Sequence, residues 1–277
     1  MTALNYLESL NPLQYESVCS TEGPNLIIAG AGTGKTKVLT TRVAHIIDNN
    51  LAFPSQILCV TFTNKAAREM SERVQKLVSQ NMEKMPWMGT FHSIGAKIIR
   101  NHAEVIGLKQ SFTILDKDDQ LSLIKQIIKA ENLDQSQFSP KLIQSKIDHW
   151  KNKALNPNEI KSETLDNLVD EKSLSIYQIY QARLFEINCL DFGDLLLQCI
   201  NLFKVPDIHK RYSNNFKYIH VDEYQDTNAA QYKWLKLLGS HHKNVCCVGD
   251  DDQSIYSWRG AEVDNMLRFE KEFENAK

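Results

Sequence analysis

The sequence lacks long apolar runs, a strong excess of charge of either sign and any cysteine pair of the CxxC type. No apolar run approaches the roughly 18 residues that a membrane-spanning helix needs, so the sequence predicts no membrane partner. The first residues, MTALNYLESLNP, have neither the basic start nor the apolar core of a signal peptide. We therefore expect a cytoplasmic protein.

Net charge and cysteine usage further limit the class of protein that the sequence can encode. The net charge is −2 and the isoelectric point is about 6.5, which excludes a protein that coats nucleic acid by bulk electrostatics. If the chain binds nucleic acid, it must use a local groove with stacking residues. Cys59, Cys246 and Cys247, three of the six cysteines, lie in apolar runs typical of buried strands, which favours reduced core thiols.

The order of apolar patterns predicts an α/β fold with a mainly parallel sheet, because short apolar runs alternate with longer helical patterns. Strands are predicted at residues 26–29, 57–60, 87–91, 218–221 and 245–248. Helices are predicted at about 35–48 and 65–79 and from about residue 93. Between residues 112 and 200 the patterns are helical and no strand is predicted, with Asp116 and Asp191 placed to cap helices. We expect a helical block inserted between strands of one sheet.

A glycine-rich turn follows the first predicted strand and opens the first long helix. Its residues are Ala29, Gly30, Ala31, Gly32, Thr33, Gly34, Lys35 and Thr36. Glycines let backbone N–H groups surround phosphate oxygens, and the helix N-terminus adds its positive dipole end. Lys35 suits the terminal phosphates and the Thr36 hydroxyl suits magnesium. Ala29 departs from the strict GxxxxGK[ST] pattern, yet the strand, the helix and the GKT triplet favour a phosphate site over a chance turn.

Two acidic residues follow the predicted strand at residues 218–221. Ligands of open α/β sheets bind at the carboxyl ends of the strands, which is where Asp222 and Glu223 are expected to lie. Asp222 is suited to bind a magnesium ion, and Glu223 is suited to orient or deprotonate an attacking water. Such a pair alone is often only a solvated strand end. Together with the glycine-rich turn, it predicts nucleotide hydrolysis.

The segment VGDDDQSIYSWRGA combines three aspartates with Tyr256, Trp258 and Arg259. It could be a metal site, a nucleic-acid surface or a loop without a task. Three adjacent carboxylates rarely converge on one ion. We therefore favour a segment that connects two ligand sites, in which Gln253 contacts the terminal phosphate and the two aromatic residues face another ligand. Stacking of bases on aromatic rings contributes about 1–3 kcal/mol per base and tolerates any base sequence. The alternative, that both rings are ordinary core residues, stays open at this point.

Six motifs occur in an order that resembles the UvrD/Rep-type superfamily 1 DNA helicases. They are LNPLQYESV, AGAGTGKT, VTFTNKAAREM, GTFHS, VDEYQDTN and VGDDDQSIYSWRGA, and they span essentially the whole chain. The resemblance implies a RecA-like P-loop motor domain at residues 1–110 and 190–277, with an inserted all-α subdomain at residues 111–189. It also implies ATP and Mg²⁺ as cofactors and ATP-driven 3′→5′ movement on single-stranded DNA or a 3′-tailed duplex, in repair or replication restart.

The resemblance also assigns roles to single residues. Gln14 would read the adenine, Lys35 and Thr36 would hold phosphate and magnesium, and Asp222 and Glu223 would be metal ligand and base. Gln253 would sense the γ-phosphate and Arg259 would brace the nucleotide site. The residues implied to contact DNA are Phe62, Thr63, Asn64, Thr90 and His92 in the groove, with Tyr256 and Trp258 stacking on bases. Without the resemblance, His92 would be interpreted as an ordinary surface or core histidine.

Two departures from the family pattern affect these expectations. Lys37 stands where relatives usually have an arginine that stacks on adenine, and lysine lacks the planar face, so we expect weaker base selectivity or affinity. The sequence also contains no second RecA-like domain, which would supply an arginine finger worth about 10³–10⁵ in rate. We therefore expect weak hydrolysis from this chain alone.

Two other functions are compatible with the same motifs. One is the motor portion of an ATP-dependent helicase–nuclease, although the sequence has no visible nuclease constellation of carboxylates and lysine. The other is an inert nucleotide- or DNA-binding module that lacks its second motor domain. The intact motifs favour the helicase.

Overall fold

The computed structural model describes residues 6–78, 85–161, 163, 165, 167–250, 269, 271, 273 and 275–277. The chain forms two compact units. Unit 1 comprises Met1–Ile94, Pro206–Asn228 and Leu235–Lys277, and unit 2 comprises Gly95–Val205 and Ala229–Trp234. The division expected from the sequence, at residues 110/111 and 189/190, stays a prediction.

The described elements alternate between strands and helices. In chain order they are α1 (Pro12–Cys19), β1 (Asn25–Ile28), α2 (Lys35–Asp48), β2 (Ile57–Thr61), α3 (Asn64–Leu77), β3 (Met88–Thr90), α4 (Phe91–Asn101), β4 (Thr113–Leu115), α5 (Lys117–Ala130), α6 (Pro140–Asn152), α7 (Leu168–Glu186), β5 (Cys189–Asp191), α8 (Phe192–Leu202), α9 (Pro206–Asn215), β6 (Tyr218–Val221), α10 (Ala229–Leu238) and β7 (Val245–Gly249). None of the helices in the described part of the chain is long and apolar enough to cross a membrane.

Unit 1 is built on a five-stranded sheet in the order β1-β7-β6-β2-β3, and every pair in it is parallel. This confirms the predicted α/β class. Strands β2, β6 and β7 are buried along their whole length, because a parallel sheet covered on both faces needs continuous apolar strands. Cys59, Cys246 and Cys247 lie within them, as predicted. The five predicted strands are therefore confirmed, with ends shifted by at most one residue.

All five strands run in one direction, so their carboxyl ends form a single edge of the sheet. Apart from Gln14, which lies in α1, each predicted site segment that the structure describes begins at this edge. The glycine-rich turn follows β1, Asp250 follows β7, Asp222 and Glu223 follow β6, Phe62 to Asn64 follow β2, and His92 lies just beyond β3. The order of strands thus determines the order of candidate site residues along the edge.

Unit 2 contains a helical core in which α5, α6 and α7 bury isoleucine and tyrosine side chains against one another. Asp116 caps α5 by accepting hydrogen bonds from the backbone N–H groups of Asp118 and Asp119, and Asp191 caps α8 in a reciprocal pair with Asp194, as predicted.

The prediction that residues 112–200 contain no strand was wrong. Strands β4 and β5 form a two-stranded parallel sheet in which Ile114 is paired with Leu190. Each strand has only three residues, so neither shows the alternation by which strands are recognised in a sequence.

A fully buried ionic cluster of unit 2 joins α6 to the start of α8. Lys151 Nζ contacts Asp191 Oδ2 at 2.8 Å and Asp194 Oδ1 at 2.9 Å, and the lysine side chain has no exposed area. Tyr180 donates a hydrogen bond to Asp191 at 2.9 Å. Burial opposes the charge of Lys151, but the two carboxylates outweigh it and raise its pKa. Burial and the neighbouring Asp191 raise the pKa of Asp194 to about 6.

Candidate active site

The glycine-rich turn between β1 and α2 has the backbone conformation that its sequence predicts. Gly32 and Gly34 have φ angles of +72° and +91°, which favour glycine because a side chain would be strained there. A Cβ on Gly34 would also approach the Gln14 amide nitrogen to 3.0 Å. The first turn of α2 therefore follows directly on a loop whose backbone N–H groups can face an anion.

Gln14 and Lys37 lie beside this loop, each held by a backbone carbonyl. Gln14 Nε2 donates to the carbonyl of Thr33 at 2.9 Å, while its Oε1 accepts from the Asn11 backbone N–H at 3.1 Å. Lys37 Nζ donates to the carbonyl of Ser9 at 2.6 Å. The two residues that the resemblance associates with the base thus flank the loop.

Lys35 is the first residue of α2, and its ammonium group turns back over the loop. Nζ donates to the Ala29 carbonyl at 2.8 Å and to the Gly30 carbonyl at 3.3 Å. It also forms an ion pair with Asp250 Oδ2 at 2.8 Å, and the Asp250 side chain is only 1% exposed. Because a phosphate would need the same ammonium group, a nucleotide that binds here must exchange with the Asp250 carboxylate.

The ion pair between Lys35 and Asp250 leads to a testable prediction about nucleotide affinity. We expect Asp250→Asn to lower the Kd of this chain for adenosine triphosphate several-fold, for two reasons. The Asp250 carboxylate competes with the phosphates for Lys35, and it would be left as an unpaired buried charge when Lys35 turns to a phosphate. The variant removes both costs. Isothermal titration with a slowly hydrolysed ATP analogue measures the change. Asp207→Asn, which removes the same charge from α9, serves as the control. An unchanged or raised Kd for Asp250→Asn would contradict the exchange.

Asp222 and Glu223 follow β6 and differ in environment. Asp222 is 4% exposed, and burial, with the charge of Glu223, raises its pKa to about 6 against the lowering effect of Lys35 and Arg73. Glu223 is half-buried and adopts a left-handed backbone conformation with φ 52° and ψ 45°. Non-glycine residues in this conformation are uncommon, and they often mark functional sites.

Two cavities connect these residues. One of about 360 Å³ is lined by Gly32, Lys35 and Thr36 and also by Glu223. The other, of about 340 Å³, is lined by Thr36, Asp222 and Glu223. Thr36 and Glu223 border both, so the structure brings together the glycine-rich turn and the two acidic residues that the sequence analysis placed in one site.

Arg73 on α3 is a site residue that the sequence analysis missed. It lines both cavities, and its charge is one of the influences that lower the pKa of Asp222. Nothing in the local pattern singles it out, since it is one of several exposed charged residues on an amphipathic helix. Only the packing of α3 against α2 reveals that its guanidinium can face an anionic ligand.

The predicted groove residues lie at the ends of β2 and β3, which are paired in register at Thr61 and Thr90. Phe62 packs edge-on against Phe91 with 5.6 Å between ring centroids. Thr63 caps α3 by accepting from the Ala66 backbone N–H at 3.1 Å. Thr90 exchanges hydrogen bonds with Ser93.

Asn64 and His92 complete this set. Asn64 is the exposed first residue of α3. Burial lowers the pKa of His92, which favours the neutral form of its ring. The five residues therefore lie at neighbouring strand ends. Gln253, Tyr256, Trp258 and Arg259 lie outside the described residues, and their roles stay predictions.

Oxygen ligands for a divalent cation are available at this edge. Thr36 supplies a hydroxyl and Asp222 a carboxylate to the same cavity, and such hard oxygen donors suit Mg²⁺. Within the described part of the chain, no group of three or more histidine, cysteine, aspartate or glutamate residues could hold a metal ion. The residues present thus fit an ion that takes few protein ligands and completes its shell with phosphate oxygens and water.

Comparisons with known proteins agree with this geometry. The family profile described as UvrD/REP helicase N-terminal domain matches residues 10–274. The DNA helicase II of Rickettsia typhi is 51% identical over 276 residues, which is 98% of this chain and 42% of the relative. The probable DNA helicase II homolog of Rickettsia felis is 50% identical over 275 residues, with the same coverage. The ATP-dependent DNA helicase PcrA of Staphylococcus aureus is 49% identical over 271 residues, which is 98% of this chain and 37% of the relative.

The chain therefore spans about two fifths of the length of these curated relatives. Its match to the family profile covers nearly all of its residues, and the described motif segments that follow β1, β2, β3, β6 and β7 begin at one edge of the parallel sheet. The chain belongs to the UvrD/REP helicase N-terminal domain family, whose members include ATP-dependent enzymes.

Proposed function

We propose that this chain is the ATP-binding and single-stranded-DNA-binding part of a 3′→5′ DNA helicase that acts in repair or replication restart in the cytoplasm. The observation that carries the proposal is the convergence of Lys35, Thr36, Asp222 and Glu223 around two adjoining cavities at one sheet edge. Hydrolysis of a triphosphate needs mainly charge neutralisation and a positioned water, and these side chains can supply both.

Each residue has a defined part in the proposed hydrolysis. Lys35 exchanges Asp250 for the terminal phosphates, and the N–H groups of the turn around Gly32 and Gly34 surround phosphate oxygens. Thr36 and Asp222 would hold Mg²⁺, which supplies charge neutralisation when it is bound. Glu223 accepts a proton from the attacking water or orients it.

The nucleotide base and the DNA would lie on opposite sides of this centre. Gln14 and Lys37 flank the glycine-rich turn and are proposed to contact adenine, with weak selectivity because Lys37 offers no planar face. Phe62, Thr63, Asn64, Thr90 and His92 are proposed to line the single-strand groove, beside the ends of β2 and β3. A single strand or a 3′-tailed duplex is the proposed substrate, and a second RecA-like domain is the proposed partner that completes the site.

The proposal is tested by measuring ATP hydrolysis with and without single-stranded DNA. We expect slow hydrolysis by this chain, stimulation by single strands, and no unwinding of duplex, because the arginine finger of a second domain would contribute about 10³–10⁵ in rate. A sensitive single-turnover assay with protein in excess over radiolabelled ATP suits the expected rate. Robust unwinding of duplex DNA, or a rate of ATP hydrolysis that single-stranded DNA does not change, would contradict the proposed function.

A substitution at Trp258 tests the DNA side. We expect Trp258→Ala to weaken single-strand binding by about 1–3 kcal/mol, the usual contribution of one stacked base, and to reduce the stimulation of hydrolysis by DNA. Fluorescence anisotropy with a labelled oligonucleotide measures the affinity. Trp150→Ala, in the helical core of unit 2, tests whether loss of any tryptophan has the same effect. Unchanged DNA affinity in Trp258→Ala would show that the stacking residue is misassigned.

A further inference from the structure

Gln225 is a buried residue of the motif VDEYQDTN, and the proposed mechanism gives it no role. It lies in the short helical turn Tyr224–Asp226 after β6, and it is only 2% exposed. Its amide has one partner at each end. Nε2 donates to Glu223 Oε2 at 2.7 Å, and Oε1 accepts from the Asp250 backbone N–H at 3.0 Å. A carboxylate requires a donor and an N–H requires an acceptor, so the two partners fix the orientation of the amide.

The first contact concerns the group proposed to act on water. Glu223 stands on a left-handed backbone, and its carboxylate reaches the cavities lined by Lys35 and Asp222. Hydrogen bonds to an ionised carboxylate are short and about twice as strong as neutral ones. The Gln225 amide can therefore set the direction in which Glu223 points.

The second contact concerns the end of β7. Asp250 is the residue directly after that strand, and its carboxylate forms the ion pair with Lys35 at 2.8 Å. A continuous series of contacts thus runs from Glu223 through Gln225 and Asp250 to Lys35, across segments that are separated by up to 215 residues in the chain. Every link in it is a hydrogen bond or an ion pair between described atoms.

On the basis of the proposed function, we propose that Gln225 is a positioning residue for ATP hydrolysis, one that orients Glu223 and ties this orientation to the end of β7. Gln225 borders the cavity that Thr36, Asp222 and Glu223 line, and its amide acts through its hydrogen bonds to Glu223 and Asp250. When Lys35 leaves Asp250 for a phosphate, the constraint on Asp250 changes, and the Gln225 amide is the link through which Glu223 would respond.

Two substitutions separate the two contacts. Gln225→Ala removes both. Gln225→Glu keeps an oxygen that can accept from the Asp250 N–H but places a second carboxylate against Glu223. We expect Gln225→Ala to lower kcat for ATP hydrolysis by about 10- to 100-fold with KM little changed, as for a misplaced catalytic group. Gln225→Glu should lower kcat by at least as much, although it is nearly isosteric.

A double-mutant cycle with Glu223→Gln tests whether Gln225 acts through Glu223. Once Glu223→Gln has removed the base, adding Gln225→Glu should leave kcat unchanged. A residue that acts only through the Glu223 carboxylate has no further effect when that carboxylate is absent. Single-turnover hydrolysis provides the rates and thermal unfolding provides the fold control. Gln198→Ala, a buried glutamine of α8 that bonds Asn201, should leave kcat unchanged.

The outcomes separate this inference from the proposed function. If the wild-type chain hydrolyses ATP and both Gln225 variants do so at the wild-type kcat, the positioning role is wrong and the proposed function stands. Equal losses from the Gln225 substitutions with and without Glu223 would also overturn the role, because a merely structural defect behaves in that way. A wild-type chain that does not hydrolyse ATP would contradict the proposed function and the inference together.

Discussion

Lys35→Ala is expected to lower kcat/KM for ATP hydrolysis by at least about 10²-fold, the usual loss when one charged donor to a developing phosphate charge is removed. The Lys35 ammonium group is held over the glycine-rich turn by two loop carbonyls and Asp250, so it already lies where terminal phosphates would bind. Two other cations line the same cavity as Lys35, but Lys37 is held by the Ser9 carbonyl and Arg73 belongs to another helix, so neither replaces the Lys35 ammonium group over the turn. Steady-state and single-turnover hydrolysis measure the loss.

The control for Lys35→Ala must account for the ion pair that it breaks. Removing one partner of a buried pair destabilises a protein because it leaves the other charge uncompensated. The double variant Lys35→Ala/Asp250→Asn removes both charges, and we expect it to unfold near the wild-type temperature while remaining as inactive as Lys35→Ala. Lys210→Ala, an exposed lysine of α9, should hydrolyse ATP at the wild-type rate. Activity regained in the double variant would mean that Lys35 is needed only for stability.

Lys151→Met is expected to lower the free energy of unfolding by about 3–5 kcal/mol at pH 8, the usual cost of leaving buried charges without their partner. Lys151 is the cation of a cluster in which Asp191 and Asp194 are also almost fully buried, and methionine fills a similar volume without the charge. Urea unfolding followed by circular dichroism measures the loss. Lys204→Met breaks an exposed pair with Glu159, for which we expect a loss of about 0–1 kcal/mol.

The pH dependence of the Lys151→Met loss provides an independent check. Burial and Asp191 already raise the pKa of Asp194 to about 6 with the lysine present. Without the lysine, both buried carboxyl groups should have raised pKa values. A carboxyl group with a raised folded-state pKa favours folding below its unfolded-state pKa, and this contribution is lost as the pH rises through the folded-state value. The deficit of Lys151→Met should therefore be smaller at pH 5 than at pH 8. A deficit that grows on acidification would mean that the cluster is not electrostatic.

The sequence predicted the sheet of unit 1 well because its strands leave a strong local signal. Fully buried parallel strands appear as continuous apolar runs, and glycines with positive φ angles mark the turn into α2. The direction of the strands then predicted that Asp222 and Glu223 lie near the glycine-rich turn, without any knowledge of side-chain contacts. Strands β4 and β5 were not predicted, because three residues are too few to show the alternation of apolar and polar side chains that marks a strand.

The contacts that tune the site could not be predicted in the same way. The ion pair of Asp250 with Lys35 joins residues 215 positions apart. Arg73 lies outside the quoted motifs, and its relevance depends on where α3 packs. Gln225 lies inside VDEYQDTN, but its relevance depends on which amide atom faces Glu223. Local pattern determines which residues reach an edge, whereas pairing at that edge depends on tertiary packing.

The small sheet of β4 and β5 has an evolutionary consequence. Parallel neighbours lie about 4.8 Å apart, and Thr113 is beside Cys189, so the two ends of the stretch between Leu115 and Cys189 are separated only by the width of one strand pair and the length of a three-residue strand. A segment whose two ends are held close together can change in length at little cost, since loop closure costs only about 0.6 kcal/mol for each doubling in length. Any replacement of residues 116–188 would nevertheless have to keep a cation in the place of Lys151, because this lysine pairs with the buried Asp191 and Asp194 outside the segment.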